Sequence, residues 1–434
     1  MRQGGIGEAW LAGLTLAFVC ALPCQAEFRF EEFEERDFTY HDEYFISWLS
    51  FRPRLRHRWR WRDAAVGYFL TVGSLKSTEF YLDQRVRLRV PFSNHLTGEY
   101  RLIQTEDYDS RYTRNEVEAV LRVLRPERAL PLTQTLGSTP RPDGLFAGAT
   151  AELHPDKEFV DAGALVGYGT LRSSIRLDVV RPDFTYNQKN DENGEYEAAP
   201  WTFRARVRTD LPENMLRLRA WASYDTPLTL SLPQRDGLRF RFRKFEAGGA
   251  ALWEPVEGVR LDLELRGEST RKRWRYTGGA RPDQDLRRSA AWGVAQLEVD
   301  VAPAFGAHAS RQDVVFASLF AHLLDEVTRG RTTAEVRLRR GEAYGELGYL
   351  LALPTPLDEW EGGIRVATQL GALSYRDQRP AEDIHSVGIK FLAKFGVGVE
   401  AFTQDQRAGF LVQATVRADE PSFGGANAQV LLRF

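Results

Sequence analysis

The chain has 434 residues, with 58 Lys plus Arg against 60 Asp plus Glu and a formal net charge of -2; its mean hydropathy is -0.39. Beyond the N-terminus no run reaches about 18 consecutive apolar residues, which excludes a transmembrane helix. It does not exclude a transmembrane barrel, whose strands turn only alternate residues to lipid.

Residues 1–26 read as a secretory signal. Arg2 gives the positive start, the stretch from Ala9 to Leu22 is apolar but too short to span a bilayer, and Cys24-Gln25-Ala26 places small residues where a signal peptidase cuts. Cys20 and Cys24 both lie inside this leader and neither fits a lipoprotein signal. The exported chain is therefore expected to lack disulfides and thiolate chemistry. Residues 27–43 are acidic with interleaved aromatics (Phe28, Phe30, Phe33, Phe38, Tyr40) and read as a tail, a plug or an irregular first strand. Residues 44–434 read as one domain.

Period-2 alternation dominates that domain. Leu55, His57, Trp59 and Trp61 oppose Arg54, Arg56, Arg58, Arg60 and Arg62. Phe80, Leu82, Val86, Leu88 and Val90 oppose Tyr81, Asp83, Arg85, Arg87 and Arg89, with Gln84 a polar intruder on the apolar face. From Asn115 to Arg125 the spacing fits a helix or a strand, and the strand reading places Val117, Ala119, Leu121 and Val123 together. Trp201, Phe203, Ala205 and Val207 oppose Arg204, Arg206 and Arg208; Leu216, Leu218 and Ala220 oppose Arg217 and Arg219. Similar stripes run through Val259–Leu265, Ala291–Val301 and Val387–Val399. Turn-rich stretches punctuate them, short at 211–214, 354–359 and 404–406, longer at 125–144, 181–200, 270–288 and 376–384.

At the C-terminus Ala426, Ala428, Val430, Leu432 and Phe434 alternate with Asn427, Gln429 and Arg433. This ending resembles that of Gram-negative outer-membrane β-barrels, porin-like proteins included. The resemblance implies an assembly signal at Val430, Leu432 and Phe434, read by the barrel-assembly machinery, and a location in the outer membrane. Together with the alternation it points to an all-β fold, a transmembrane antiparallel barrel of roughly 16–20 strands, with about 18 the best single count.

If the apolar face meets lipid, the arginines line the lumen, because a charge at mid-bilayer on the lipid face costs about 2–4 kcal/mol. The expected basic track is Arg54, Arg56, Arg58, Arg60, Arg85, Arg87, Arg89, Arg204, Arg206, Arg208, Arg217 and Arg219, with Arg239, Arg241 and Arg243 assigned inward by the same rule. Such a row either passes anions or pairs with acids such as Asp83, Glu99, Asp262, Glu264, Glu298 and Glu335. Trp48, Trp59, Trp61, Trp201, Trp253 and Trp292 are expected at the lipid interface; Tyr81 and Trp221 share a face with arginines and are candidates for sugar stacking. The seven histidines are isolated, no catalytic or metal-ligand spacing occurs, and no cofactor or nucleic acid is expected. The expectation is a non-enzymatic channel for hydrophilic, preferably anionic solutes. The alternatives are an export barrel for an acidic polysaccharide, a scaffold holding a partner protein, and a lipid- or peptide-modifying barrel enzyme.

Overall fold

A strand with period-2 polarity can bury one face only if a neighbour on each side pairs its backbone, and a bilayer allows no open edge. The computed structural model satisfies both conditions. It describes residues 66–433 apart from 75–79, 94, 108–109, 123–143, 155–158, 171, 183–194, 199, 212–215, 257, 280, 302–312, 331–334, 354–359, 380–383, 404–407 and 419–421. The leader, the acidic-aromatic segment, Arg54 to Arg62 and Phe434 lie outside these residues.

The strands begin with β1 (Val66–Ser74), β2 (Phe80–Pro91), β3 (Leu96–Asp107), β4 (Ser110–Arg122), β5 (Gly144–His154), β6 (Phe159–Gly169) and β7 (Ser173–Arg181). A short β8 (Glu195–Ala198) precedes β9 (Thr202–Leu211) and β10 (Leu216–Leu232). Next come β11 (Leu238–Val256), β12 (Val259–Tyr276), β13 (Gln284–Asp300), β14 (Val314–Gly330) and β15 (Val336–Leu353). The last four are β16 (Trp360–Arg379), β17 (Ile384–Thr403), β18 (Ala408–Arg417) and β19 (Ser422–Arg433).

Every pairing is antiparallel. β7 pairs with β9, and β1 pairs with both β2 and β19. Setting β8 aside, the remaining 18 of the 19 strands each have two neighbours, so the circuit closes. β8 patches the upper part of β10, with Tyr196 opposite Leu230, where β10 outruns β9. The stretch from Asn115 to Arg122 is strand, and Val117 sits on the face predicted for it.

One face of the circuit is apolar and open: Val166, Tyr168, Ile175, Leu177, Phe203 and Val207, then Leu265 at 68% exposure, Leu319, Leu323, Leu347, Leu370 and Phe391 at 75%. The opposite face holds Glu99, Glu116, Glu118, Glu152 and Asp178, all buried. A soluble protein would show the reverse. Lipid outside a polar interior accounts for both faces, so this is a transmembrane β-barrel. Gln84 is accommodated on the outer face by a chain of amides. The Tyr68 hydroxyl donates to Gln84 Oε1 at 3.2 Å, and Gln84 Nε2 donates to Gln104 Oε1 at 3.4 Å.

Strand length divides the wall. β10 to β17 run for 17 to 20 residues, whereas crossing a bilayer takes about 9–11. The surplus lies at the end away from Val66 and Arg433: β17 pairs with β18 only as far as Lys394–Arg417 and then continues to Ile384. The Asp236-Gly237 turn, with φ of 58° and 63°, closes the β10–β11 hairpin there. On the inner side of this extension Leu228, Leu230, Leu232, Leu238, Phe240 and Trp274 form a buried cluster, the last two rings 5.5 Å apart.

The extension corrects two expectations. The predicted loops at 270–288 and 376–384 are largely strand, because β12 runs to Tyr276, β13 starts at Gln284 and β16 runs to Arg379. Arg239, Arg241 and Arg243 are exposed on the outer face while Phe240 is fully buried on the inner one. The lipid rule that turns arginine inward stops applying once the strand has left the lipid. Trp292 also differs from expectation: it lies on the inner face under the Arg266 guanidinium, 4.4 Å from the ring centre. Trp201 and Trp253 are exposed on the outer face.

Candidate functional site: the inner wall

The inner face is an ion-pair web built from strand alternation. On β2, Arg85, Arg87 and Arg89 share a face. Arg87 grips Glu99 of β3 through two bonds, Nε at 3.1 Å and Nη2 at 2.9 Å, with Arg89 Nε 4.0 Å away. Arg101, two residues along β3, contacts Glu99 as well and reaches Glu116 at 3.1 Å and Glu118 at 3.8 Å on β4. Arg176 on β7 continues the chain, donating to Glu118 at 2.7 Å and to Asp178 beside it. Arg206 on β9 stands 3.9 Å from Asp178.

Two of these links skip strands. Arg176 crosses β5 and β6 to reach Glu118, and Arg204 on β9 crosses β6 and β7 to bind Glu152 on β5. Among the inner positions of β5 and β6, which include Phe146 and Leu165, Gly148 and Gly163 carry no side chain. A Cβ on Gly148 would sit 2.1 Å from the Ala119 carbonyl oxygen, and one on Gly163 would sit 2.7 Å from that of Val179. Glycine at these two sites permits the close backbone approach.

Further round the wall, Arg208 lies 3.4 Å from Asp210, with Arg217 in register with Asp210 and Arg219 in register with Arg208. Trp221 faces inward opposite Arg206 and lies against Gly248. A second group centres on Arg365 of β16. It donates to Glu346 at 2.8 Å, approaches Glu400 at 3.8 Å and covers the Phe316 ring at 3.7 Å. Gln369 completes Glu346 at 2.9 Å.

The geometry brings Arg87, Arg89, Arg204, Arg206 and Arg208 into contact with acids on one wall. Arg101 and Arg176 belong to the same web and Arg365 to the second group; none of the three was singled out in the sequence, nor were Glu116, Glu118, Glu152 and Asp178. Glu116 and Glu118 were readable as the polar side of the Val117, Ala119, Leu121 stripe. Asp178 was readable from alternation as the same-face neighbour of Arg176 on β7, whereas Glu152 of β5 has its partner Arg204 on another strand, which only the folded register reveals. Among the described residues no group of His, Cys, Asp and Glu is placed to hold a metal ion.

The solved structures similar to this chain are outer-membrane proteins. A bacterial polysaccharide outer membrane secretin overlaps 85% of this chain and 97% of its own at 9% identity and a TM-score of 0.35. The loop-deleted OmpT of Vibrio cholerae overlaps 85% and 97% at 8% identity and 0.36. OccK2 of Pseudomonas aeruginosa overlaps 84% and 95% at 11% identity and 0.32. At these scores the likeness carries no argument, and the fold rests on the strand circuit and its two faces. No protein-family model matches the sequence, and no curated protein matches it.

Proposed function

We propose that the chain is an outer-membrane channel, exported by the 1–26 leader, whose barrel from residue 44 onward passes hydrophilic, preferably anionic solutes. The observation that supports it is the inner wall. Arginines recur on it at every second position of β2 and β9, and guanidiniums keep their charge across the usable pH range. Where they outnumber nearby acids, cations are repelled and anions concentrated, more so at low salt. Around Glu99 three arginines meet one carboxylate.

The test is planar-bilayer conductance and the reversal potential across a salt gradient, for the parent and for Arg85→Gln with Arg87→Gln. An anion-preferring reversal potential that moves toward cations in the double variant supports the track. A folded barrel without conductance, even after deletion of residues 27–43, counts against a channel. An open pore of unchanged selectivity leaves these arginines as structural partners of acids.

Trp221 favours a second reading, passage of an acidic polysaccharide. Its indole offers a stacking surface for a sugar ring beside Arg206, which suits a carboxylate. Concentration-dependent block by uronic acid oligomers, weakened in Trp221→Ala, distinguishes it from a general pore.

A further inference from the structure

The outer face of the strand extension carries a charge pattern that the channel does not use. On each strand from β11 to β16 the apolar or small outward residues give way to a charged one: Arg243 after Phe245, Arg271 after Ser269, Arg287 after Ser289, Asp325 after Leu323, Arg339 after Gly341, Arg376 after Ser374. These positions are neighbours across the sheet. Arg239 faces Arg275, Arg241 faces Arg273, Arg243 faces Arg271, Arg271 faces Arg287, and Arg339 faces Arg376.

Like charges directly opposite each other destabilise a sheet. Glu197 relieves Arg239 and Asp283, 3.7 Å away, relieves Arg275, but the other acids of the lattice are shared among several arginines. Asp285 alone serves Arg271 at 2.6 Å, Arg273 at 3.3 Å and Arg287 at 4.0 Å. Asp325 serves Arg337 at 3.3 Å and Arg339 at 3.1 Å. Arg241 and Arg243 make no ion pair among the described residues. Beside them a cleft of about 410 Å³ is lined by Arg275, Asp283, Asp285, Arg329 and Gly330.

We propose that Arg241, Arg243, Arg271, Arg273, Arg287 and Arg339 bind the phosphate groups of an anionic lipid headgroup. The position selects the occupant. The lattice begins where the lipid-facing surface ends, which is the level of headgroups, and it opens sideways toward the membrane. Strand spacing of about 4.8 Å lets one phosphate bridge two guanidiniums, and the planar fork of arginine matches phosphate oxygens. The leaflet is the one distal to Val66 and Arg433. The proposal rests on the membrane placement of the barrel and is independent of conduction.

The test uses the full-length barrel in nanodiscs of phosphatidylcholine with and without lipid A, a diphosphorylated glycolipid, and reads bound lipid A by native mass spectrometry. The variant is Arg241→Gln, Arg243→Gln and Arg273→Gln together. Each arginine near a membrane surface contributes about fivefold to anionic-lipid affinity, so the triple variant is expected to lose roughly a hundredfold. The corresponding Arg→Lys triple keeps binding to within about tenfold, which separates charge loss from misfolding. Equal lipid A retention by parent and Gln variant overturns the proposal. So does binding of inorganic pyrophosphate by the detergent-solubilised parent as tightly as lipid A, which would mark a free-phosphate site. Bilayer conductance of the same variant is expected to equal the parent's, so a failed channel reading and a failed lipid site give different results.

Discussion

The Arg176 guanidinium meets the Glu118 carboxylate at 2.7 Å although β7 and β4 share no backbone pairing. The bond crosses the two intervening strands and ties one part of the wall to another.

That tie gives the first prediction. Hydrogen bonds between charged groups contribute about 1.5–3 kcal/mol, and removing one partner strands the other. Glu118→Gln and Arg176→Met are each expected to lower the unfolding free energy of the folded barrel by about 2–3 kcal/mol, read as an earlier urea midpoint. The double variant is expected to lose clearly less than the sum, as coupled residues do. Gel-shift unfolding curves in lipid vesicles measure all three; strict additivity would contradict the contact.

The amide chain on the outer face gives the second. Gln84→Leu leaves Tyr68 and Gln104 without their shared partner, and a loss of about 1 kcal/mol is expected. Replacing all three by apolar isosteres (Tyr68→Phe, Gln84→Leu, Gln104→Leu) removes the polar groups together. The triple variant is expected to match or exceed the parent in the same unfolding measurement.

The third concerns acid. Burial acts to raise the Asp285 pKa, but the hydrogen bond and charge of Arg271, then Arg273 and Arg287, hold it below the ordinary carboxylate value. Asp325 is likewise lowered, its burial outweighed by hydrogen bonds and charge from Arg337 and Arg339. A carboxylate whose folded pKa is depressed stabilises the fold above its unfolded pKa and loses that contribution as pH falls through the folded one. The β12–β15 extension is therefore expected to loosen below about pH 4. Hydrogen exchange should show the loss of protection there, and Asp285→Asn should show part of it already at neutral pH.

The fourth separates the extension from the membrane wall. Trp274 packs on Phe240 in the buried cluster, and truncating such an aromatic costs about 3–5 kcal/mol. In Trp274→Ala the cost is expected to fall locally. Proteolysis near residues 277–283 should accelerate while the barrel keeps its gel shift and its conductance. Collapse of the whole barrel would show that the two parts fold as one unit.

The barrel was legible because lipid imposes a rule that a local pattern can report. Phe203 and Val207 face outward and Arg204 and Arg206 inward simply because the residues alternate. The rule reaches only as far as the bilayer. Arg239 and Phe240 alternate just as strictly, yet the arginine is outside and the ring is buried. Sequence periodicity defines two faces and does not label them. Nor does it give register: the Arg204–Glu152 pair joins residues 52 apart across β6 and β7, in a wall where Gly148 and Gly163 leave no room for a side chain. Asp325 stands beside Glu326 with no arginine ladder on its own strand, and its meaning comes from the arginines that the hairpin sets beside it.

Gly67 lies opposite Arg433 and Ser74 opposite Ala426. The seam joining β1 to β19 thus brings together segments separated by almost the whole length of the chain. Contacts of that sequence separation form slowly, since the loop they close is entropically expensive. Until they form, β1 and β19 both present unpaired backbone, a template for joining a second molecule edge to edge. Seam formation should thus be the slow step of assembly. A chain shortened before Ser422 should accumulate as open sheets that associate with one another and leave no smaller, intact ring.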